Sequence, residues 1–191
     1  MTNKEPVLTL PNVLSSLRLM AFPVLMYLAF SGMERWFAIV FCSGLVTDIL
    51  DGWIARTFNM RTSLGAKLDS LADIGMYIAA FTGVYLFKWE TLGTHKPMLV
   101  LYLILYVGSQ AISFIRFGKH PTLHLYSFKI GGYLQGILFF TWFASGLYVW
   151  YYYVALSWGV LACVEEAVVL IWLPAYRSDV KGLYWLMKEK K

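Results

Sequence analysis

The chain has 191 residues, 59% of them hydrophobic and only 14% charged, with a net charge of +5. Soluble domains carry about 25% charged and about 45–50% apolar residues, so an ordinary soluble domain, a disordered chain and a collagen-like chain are all excluded. A mean hydropathy of +0.61 points instead to a protein that crosses a membrane several times. Cys42 and Cys163 both sit in apolar runs, which argues against a disulfide framework and a cysteine zinc site. The basic excess belongs at the cytoplasmic flanks of membrane spans rather than on nucleic acid.

A helical span needs about 20 mostly apolar residues. The first candidate covers 13–30, opened by Pro11 and Asn12, with Asn12 expected as the helix cap. The second covers 36–58 and the third 64–87. The fourth covers 97–115, with Pro97 in its first turn. An apolar run from 130 to 173 is too long for one crossing. A turn near 146–153 divides it into spans over 130–150 and 151–173, and Trp150, Tyr151, Tyr152 and Tyr153 suit the membrane interface there. The expected fold is all-α, an integral membrane bundle of six transmembrane helices forming a single domain over 1–191. No cleavable signal peptide is expected, since the first span holds Arg18 and Pro23 and lacks a small-residue cleavage pattern. With six crossings, every Lys and Arg except Arg35, Lys88 and Lys96 falls on one side. The positive-inside rule then makes both termini cytoplasmic. Lys188, Lys190 and Lys191 form a basic tail expected to meet anionic headgroups.

Asp48, Asp51, Asp69 and Asp73 lie inside the second and third spans. A carboxylate there costs several kcal/mol, so it faces the bundle interior and usually has a task. Asp48 and Asp51 are three apart and Asp69 and Asp73 four apart, so each pair shares one helix face. Measured at 1.5 Å per residue, Asp51 lies ~8 Å and Asp48 ~12 Å from the cytoplasmic end of the second span. Asp69 lies ~8 Å and Asp73 ~14 Å from the start of the third. An antiparallel hairpin therefore gathers the four at one depth. Four close negative charges require cations, and all-oxygen ligands favour Mg²⁺ or Mn²⁺. Two such ions make a clamp for a diphosphate. Gly52, Ala55, Gly65 and Ala66 leave room for a ligand beside the acids, and Arg56 closes the segment within reach of a phosphate. The competing reading is a small cation or proton transporter that uses the same four acids as a relay.

The run from Asp48 to Arg56 reads D-x-x-D-G-x-x-A-R. After a spacer, the run from Gly65 to Asp73 reads G-x-x-x-D-x-x-x-D. This resembles the signature of the CDP-alcohol phosphatidyltransferase family, with every fixed position matched. The resemblance implies a membrane enzyme of phospholipid synthesis that transfers a substituted phosphate from a CDP-linked donor to an alcohol and releases CMP. It implies that Asp48, Asp51 and Asp69 bind two divalent metals. It also implies that Asp73 joins the metal site as the general base, and that Gly52, Ala55, Arg56 and Gly65 line the CDP pocket. A homodimer is implied too. The headgroup-level site favours CDP-diacylglycerol as donor, worked from the cytoplasmic side of the cell (inner) membrane.

The acceptor is less sharply marked. The stretch from Leu10 to Arg18 resembles the start of phosphatidylglycerophosphate and cardiolipin synthases, whereas Ser70 after the third aspartate is more like serine- and inositol-type members. Glycerol 3-phosphate is the leading acceptor, with inositol phosphate, serine or phosphatidylglycerol as alternatives. Between the fourth and fifth spans stand Arg116, Lys119, His120, His124 and Lys129. Arg116 and Lys129 are candidates for binding a phosphorylated acceptor, although topology alone also demands cations there. The histidines read as solvated loop residues. Glu165 and Glu166 in the last span read as hydrogen-bonded acids on a bundle-facing side.

Overall fold

The structure is a computed structural model of the chain, and it describes residues 9–58, 60, 62–118, 123, 125–174 and 180–189. Among the described residues there are helices and turns but no strand. The helices are α1 (Leu10–Phe30), α2 (Glu34–Thr57), α3 (Ser63–Gly83), α4 (Lys96–Phe117), α5 (Tyr126–Ala144), α6 (Val149–Trp172) and α7 (Leu183–Glu189). They fall into two compact units, residues 1–92 and 93–191.

In the first unit, α1 starts at Thr9, whose side chain accepts the Asn12 N–H. Thr9 is therefore the cap expected at Asn12, and Asn12 is freed for a contact described below. Gly32 takes φ +72° in the turn to α2, a conformation that costs an L-residue energy but not glycine. Thr62 caps α3 by accepting the Gly65 N–H at 2.9 Å. After Gly83 the helix widens into a π turn over Val84–Lys88, and Lys88 there pairs with Glu34 at the start of α2. α1 packs along both α2 and α3, which pack less extensively on each other. Small residues permit the close approach. A Cβ on Gly44 would stand 2.8 Å from Met76 Cε, and one on Gly75 would stand 3.2 Å from the Phe22 ring. At the end bearing Glu34 and Lys88, Phe37 stacks on Phe41 at 5.7 Å and meets Phe87 edge-on at 5.5 Å.

In the second unit, Pro97 occupies the first turn of α4, and Gly118 closes that helix at φ +64°. The turn expected to divide the long apolar run occurs, with Gly146 at φ +116° between α5 and α6. Tyr102 of α4 donates to Gln135 of α5 at 3.0 Å. Gly159 of α6 admits this pair, since a Cβ there would stand 2.7 Å from Gln135 Nε2. Glu166 accepts from Ser109 at 2.7 Å and from Gln110 at 3.4 Å, so this buried acid is hydrogen-bonded, as expected. Glu165 Oε1 accepts the Leu183 N–H at 2.8 Å at the start of α7. Leu123, Leu125, Val169, Leu170, Leu173, Val180 and Leu186 form a core beneath α7.

Among the described residues five helical stretches are long and apolar enough to cross a membrane: α1, α2, α3 continued to Lys88, α4 and α6. The expected count of six is corrected to five. The missing one is α5, a helix of only 19 residues that include Lys129, Gln135 and three glycines. Large apolar side chains cover the outer surface of the long helices; Ile115, for example, is 84% exposed. That arrangement suits hydrocarbon, not water.

Candidate active site

The four aspartates do meet. Asp51 on α2 and Asp69 on α3 each stand six residues from the turn that joins the two helices. Rise along a helix puts both ~9 Å from that turn. Asp48 and Asp73 lie about one turn deeper. The element that brings them together is α1, through a residue that was not among the sequence-predicted site residues, Arg18. Arg18 reaches between the two acid-bearing helices. Its Nη2 donates to Asp51 Oδ2 at 2.6 Å and to Asp69 Oδ1 at 2.9 Å. Its Nη1 pairs with Asp48 Oδ1 and donates to Asp73 Oδ1 at 3.3 Å. One guanidinium thus touches all four carboxylates.

Asn12, Ser15 and Arg18 are spaced by three residues and share one face of α1, and all are buried. Ser15 Oγ donates to Asp51 Oδ2 at 3.3 Å. Asn12 Oδ1 accepts from Thr62 Oγ1 at 3.1 Å, which ties α1 to the cap of α3. A signal for this face was available in the sequence. Arg18 stands eight residues inside α1, and the reasoning that marks an intramembrane aspartate marks an intramembrane arginine equally.

The exposure of the four acids differs. The Asp51 side chain is 5% exposed, whereas those of Asp48, Asp69 and Asp73 are 43%, 46% and 47% exposed. One carboxylate anchors the cluster and three line an open face. Asp48, Asp51 and Asp69 each offer an oxygen within 4.8 Å of the others, a separation that small side-chain turns bring within reach of one ion. Asp73 stands at the edge of this group. Three carboxylates with no nitrogen or sulfur donor fit a hard divalent cation.

Gly65 opens α3 at the same end. A Cβ there would overlap Asn12 Oδ1 and stand 2.9 Å from Thr62 Oγ1. The glycine therefore has a packing reason of its own, the Asn12–Thr62 contact. Gly52 and Ala55 are partly exposed on the last turns of α2. Arg56 is on the same helix, but its side chain and that of Ala66 lie outside the described residues.

The basic residues between α4 and α5 belong to the second unit. Arg116 Nη1 donates to the Ile171 carbonyl at 2.5 Å and Nη2 to the Leu173 carbonyl at 2.9 Å, satisfying carbonyls at the end of α6. The Lys129 ammonium lies 5.5 Å from the Tyr126 ring centre. Lys119, His120, His124, Lys190 and Lys191 lie outside the described residues.

The family model for CDP-alcohol phosphatidyltransferases matches residues 8–172. The chain belongs to this family. That match takes in all four aspartates, Arg18, Arg116 and Lys129. Among curated relatives, the CDP-diacylglycerol–glycerol-3-phosphate 3-phosphatidyltransferase of Cereibacter sphaeroides is 40% identical over 76 residues, covering 38% of this chain and 34% of that protein. The enzyme of the same description from Salmonella choleraesuis is 34% identical over 89 residues, covering 44% of this chain and 49% of that protein. A cardiolipin synthase (CMP-forming) from Streptomyces coelicolor is 36% identical over 86 residues, covering 42% and 40% respectively. The chain thus spans at most about half the length of these relatives. No solved structure matches.

Proposed function

We propose that this protein transfers the phosphatidyl group of CDP-diacylglycerol to a small alcohol and releases CMP, with glycerol 3-phosphate as the acceptor. The observation that carries this reading is the convergence of Asp48, Asp51, Asp69 and Asp73 on one point, within a chain of this family. The names of the relatives favour glycerol 3-phosphate over serine or inositol phosphate. We take residues 1–191 as one catalytic domain, since the family match runs through both compact units.

Asp48, Asp51 and Asp69 would hold two Mg²⁺ or Mn²⁺ ions, with Asp73 completing the set. Bound there, the metal neutralises the donor diphosphate and the charge that builds on departing CMP. Asp51, buried and fixed by Ser15, keeps the cluster in register. Asp73 accepts the proton of the acceptor hydroxyl as its oxygen bonds to the phosphatidyl phosphorus and the bond to the CMP oxygen breaks. Its half-exposed position leaves room for the hydroxyl to approach. Gly52, Ala55, Arg56 and Gly65 would serve the CDP part of the donor, and Arg116 and Lys129 a phosphorylated acceptor. Lys67 near the start of α3 is exposed, and with Arg56 it favours a cytoplasmic site in the inner membrane. The protein works as a homodimer in this reading.

Three substitutions test the assignment of the pockets. Ala55→Leu places a branched side chain where the nucleotide would lie, and the KM for CDP-diacylglycerol should rise at least tenfold while the protein stays folded. An unchanged donor KM would remove the CDP pocket from this face. Lys129→Ala should raise the KM for glycerol 3-phosphate about tenfold to a hundredfold, the worth of one charge-assisted phosphate contact of roughly 1.5–3 kcal/mol. The donor KM should hardly move. Arg116→Ala should do the same and also lower the melting temperature, because its guanidinium serves the α6 carbonyls. Normal acceptor KM in both variants would assign these cations to topology and folding alone.

A further inference from the structure

The cluster holds a cation of the protein's own. Arg18 donates to all four carboxylates, its side chain is 1% exposed, and its Nε has no hydrogen-bond partner among the described residues. The guanidinium is therefore held almost entirely by the acids in front of it. It uses the Oδ2 oxygen of Asp51 and the Oδ1 oxygens of Asp48 and Asp69, the three residues whose oxygens lie close enough to share an ion.

We infer that Arg18 is the resident counter-cation of the carboxylate cluster and that a divalent metal competes with it for the same oxygens. This rests on the metal reading of the site given above. Two facts of chemistry favour the competition. Mg²⁺ needs oxygen ligands at about 2.0–2.1 Å in near-octahedral array, and the carboxylates that turn to meet it give up the geometry and part of the charge with which they hold the guanidinium. One positive charge also leaves four carboxylates well short of neutral, so the cluster retains a demand for a divalent cation even with Arg18 in place. Arg18 thereby lets the bundle assemble before metal arrives, at the expense of weaker metal binding. Once the metal takes the carboxylates, the guanidinium gives up those bonds. Arg18 is a positioning residue on this account, not a catalytic one.

The test uses the purified full chain in detergent, with Mn²⁺ as probe, read by electron paramagnetic resonance titration and by thermal unfolding. Arg18→Gln should bind Mn²⁺ about tenfold tighter or more, since a competing charge-assisted contact is gone. In EDTA the same variant should melt below the parent, and saturating Mn²⁺ should close most of that gap. Equal or weaker Mn²⁺ affinity in Arg18→Gln would overturn the inference while leaving the metal site intact. Should Arg18→Gln fail to fold even with Mn²⁺, Arg18→Lys decides the matter. Its single ammonium reaches fewer carboxylates, so tighter Mn²⁺ binding than the parent supports competition and equal affinity refutes it. A parent protein that binds no Mn²⁺ overturns the inference together with the metal reading, an outcome separate from the others.

Discussion

Asp73→Asn is expected to slow CMP release by about 10²-fold or more, the usual worth of a positioned general base. Asparagine keeps the size and a carbonyl oxygen, but it cannot take a proton. Asp73 suits the base role because it stands outside the three-oxygen group and is half exposed. Donor binding is expected to be partly retained in this variant, because Asp48, Asp51 and Asp69 keep their oxygens, so turnover should fall far more than the KM for CDP-diacylglycerol rises. Steady-state rates in mixed micelles at saturating donor and acceptor check this. Turnover like that of the parent would show that the proton goes elsewhere.

Chelation should act more completely. In excess EDTA the protein is expected to lose all transfer activity, and added Mg²⁺ or Mn²⁺ should restore it, because the clustered carboxylates repel a diphosphate until a cation intervenes. Na⁺ or K⁺ at equal ionic strength should not substitute, since monovalent ions cannot hold the same oxygens with comparable strength. A proton or cation relay built on the four acids would behave differently, with flux across vesicles and no CMP formed. Full transfer activity in chelator would remove the metal from the mechanism.

The sequence revealed most where it broke the rules of its surroundings. Four aspartates inside apolar helices stand out because hydrocarbon penalises them, and their spacing by three and four placed each pair on one face. The structure gathers them as that reading expects. Arg18 broke the same rule but was masked by its position, since an arginine in the early part of a first span also satisfies the positive-inside pattern. Its partners could not be read from local spacing, because Asp48 and Asp73 are 30 and 55 residues away. Asn12 was misassigned for a related reason. Asparagine is a good helix cap, but Thr9 does that work and Asn12 binds Thr62 of another element. The count of spans depended on α5, a helix of 19 residues with little length to spare around Lys129 and Gln135. Gln135 is buried against Tyr102, a contact that spacing within one helix does not announce.

Transfer of a phosphatidyl group from a CDP-linked lipid at the carboxylate cluster can be followed directly. The most direct measurement gives the purified chain CDP-diacylglycerol labelled in its phosphatidyl group, with Mg²⁺ and glycerol 3-phosphate, and follows CMP and the labelled lipid together. CMP and phosphatidylglycerophosphate are expected in equal amounts, with both lost in Asp69→Asn. A folded protein that releases no CMP with glycerol 3-phosphate, inositol phosphate, serine or phosphatidylglycerol as acceptor, at any Mg²⁺ or Mn²⁺ concentration, is not a phosphatidyltransferase of this kind.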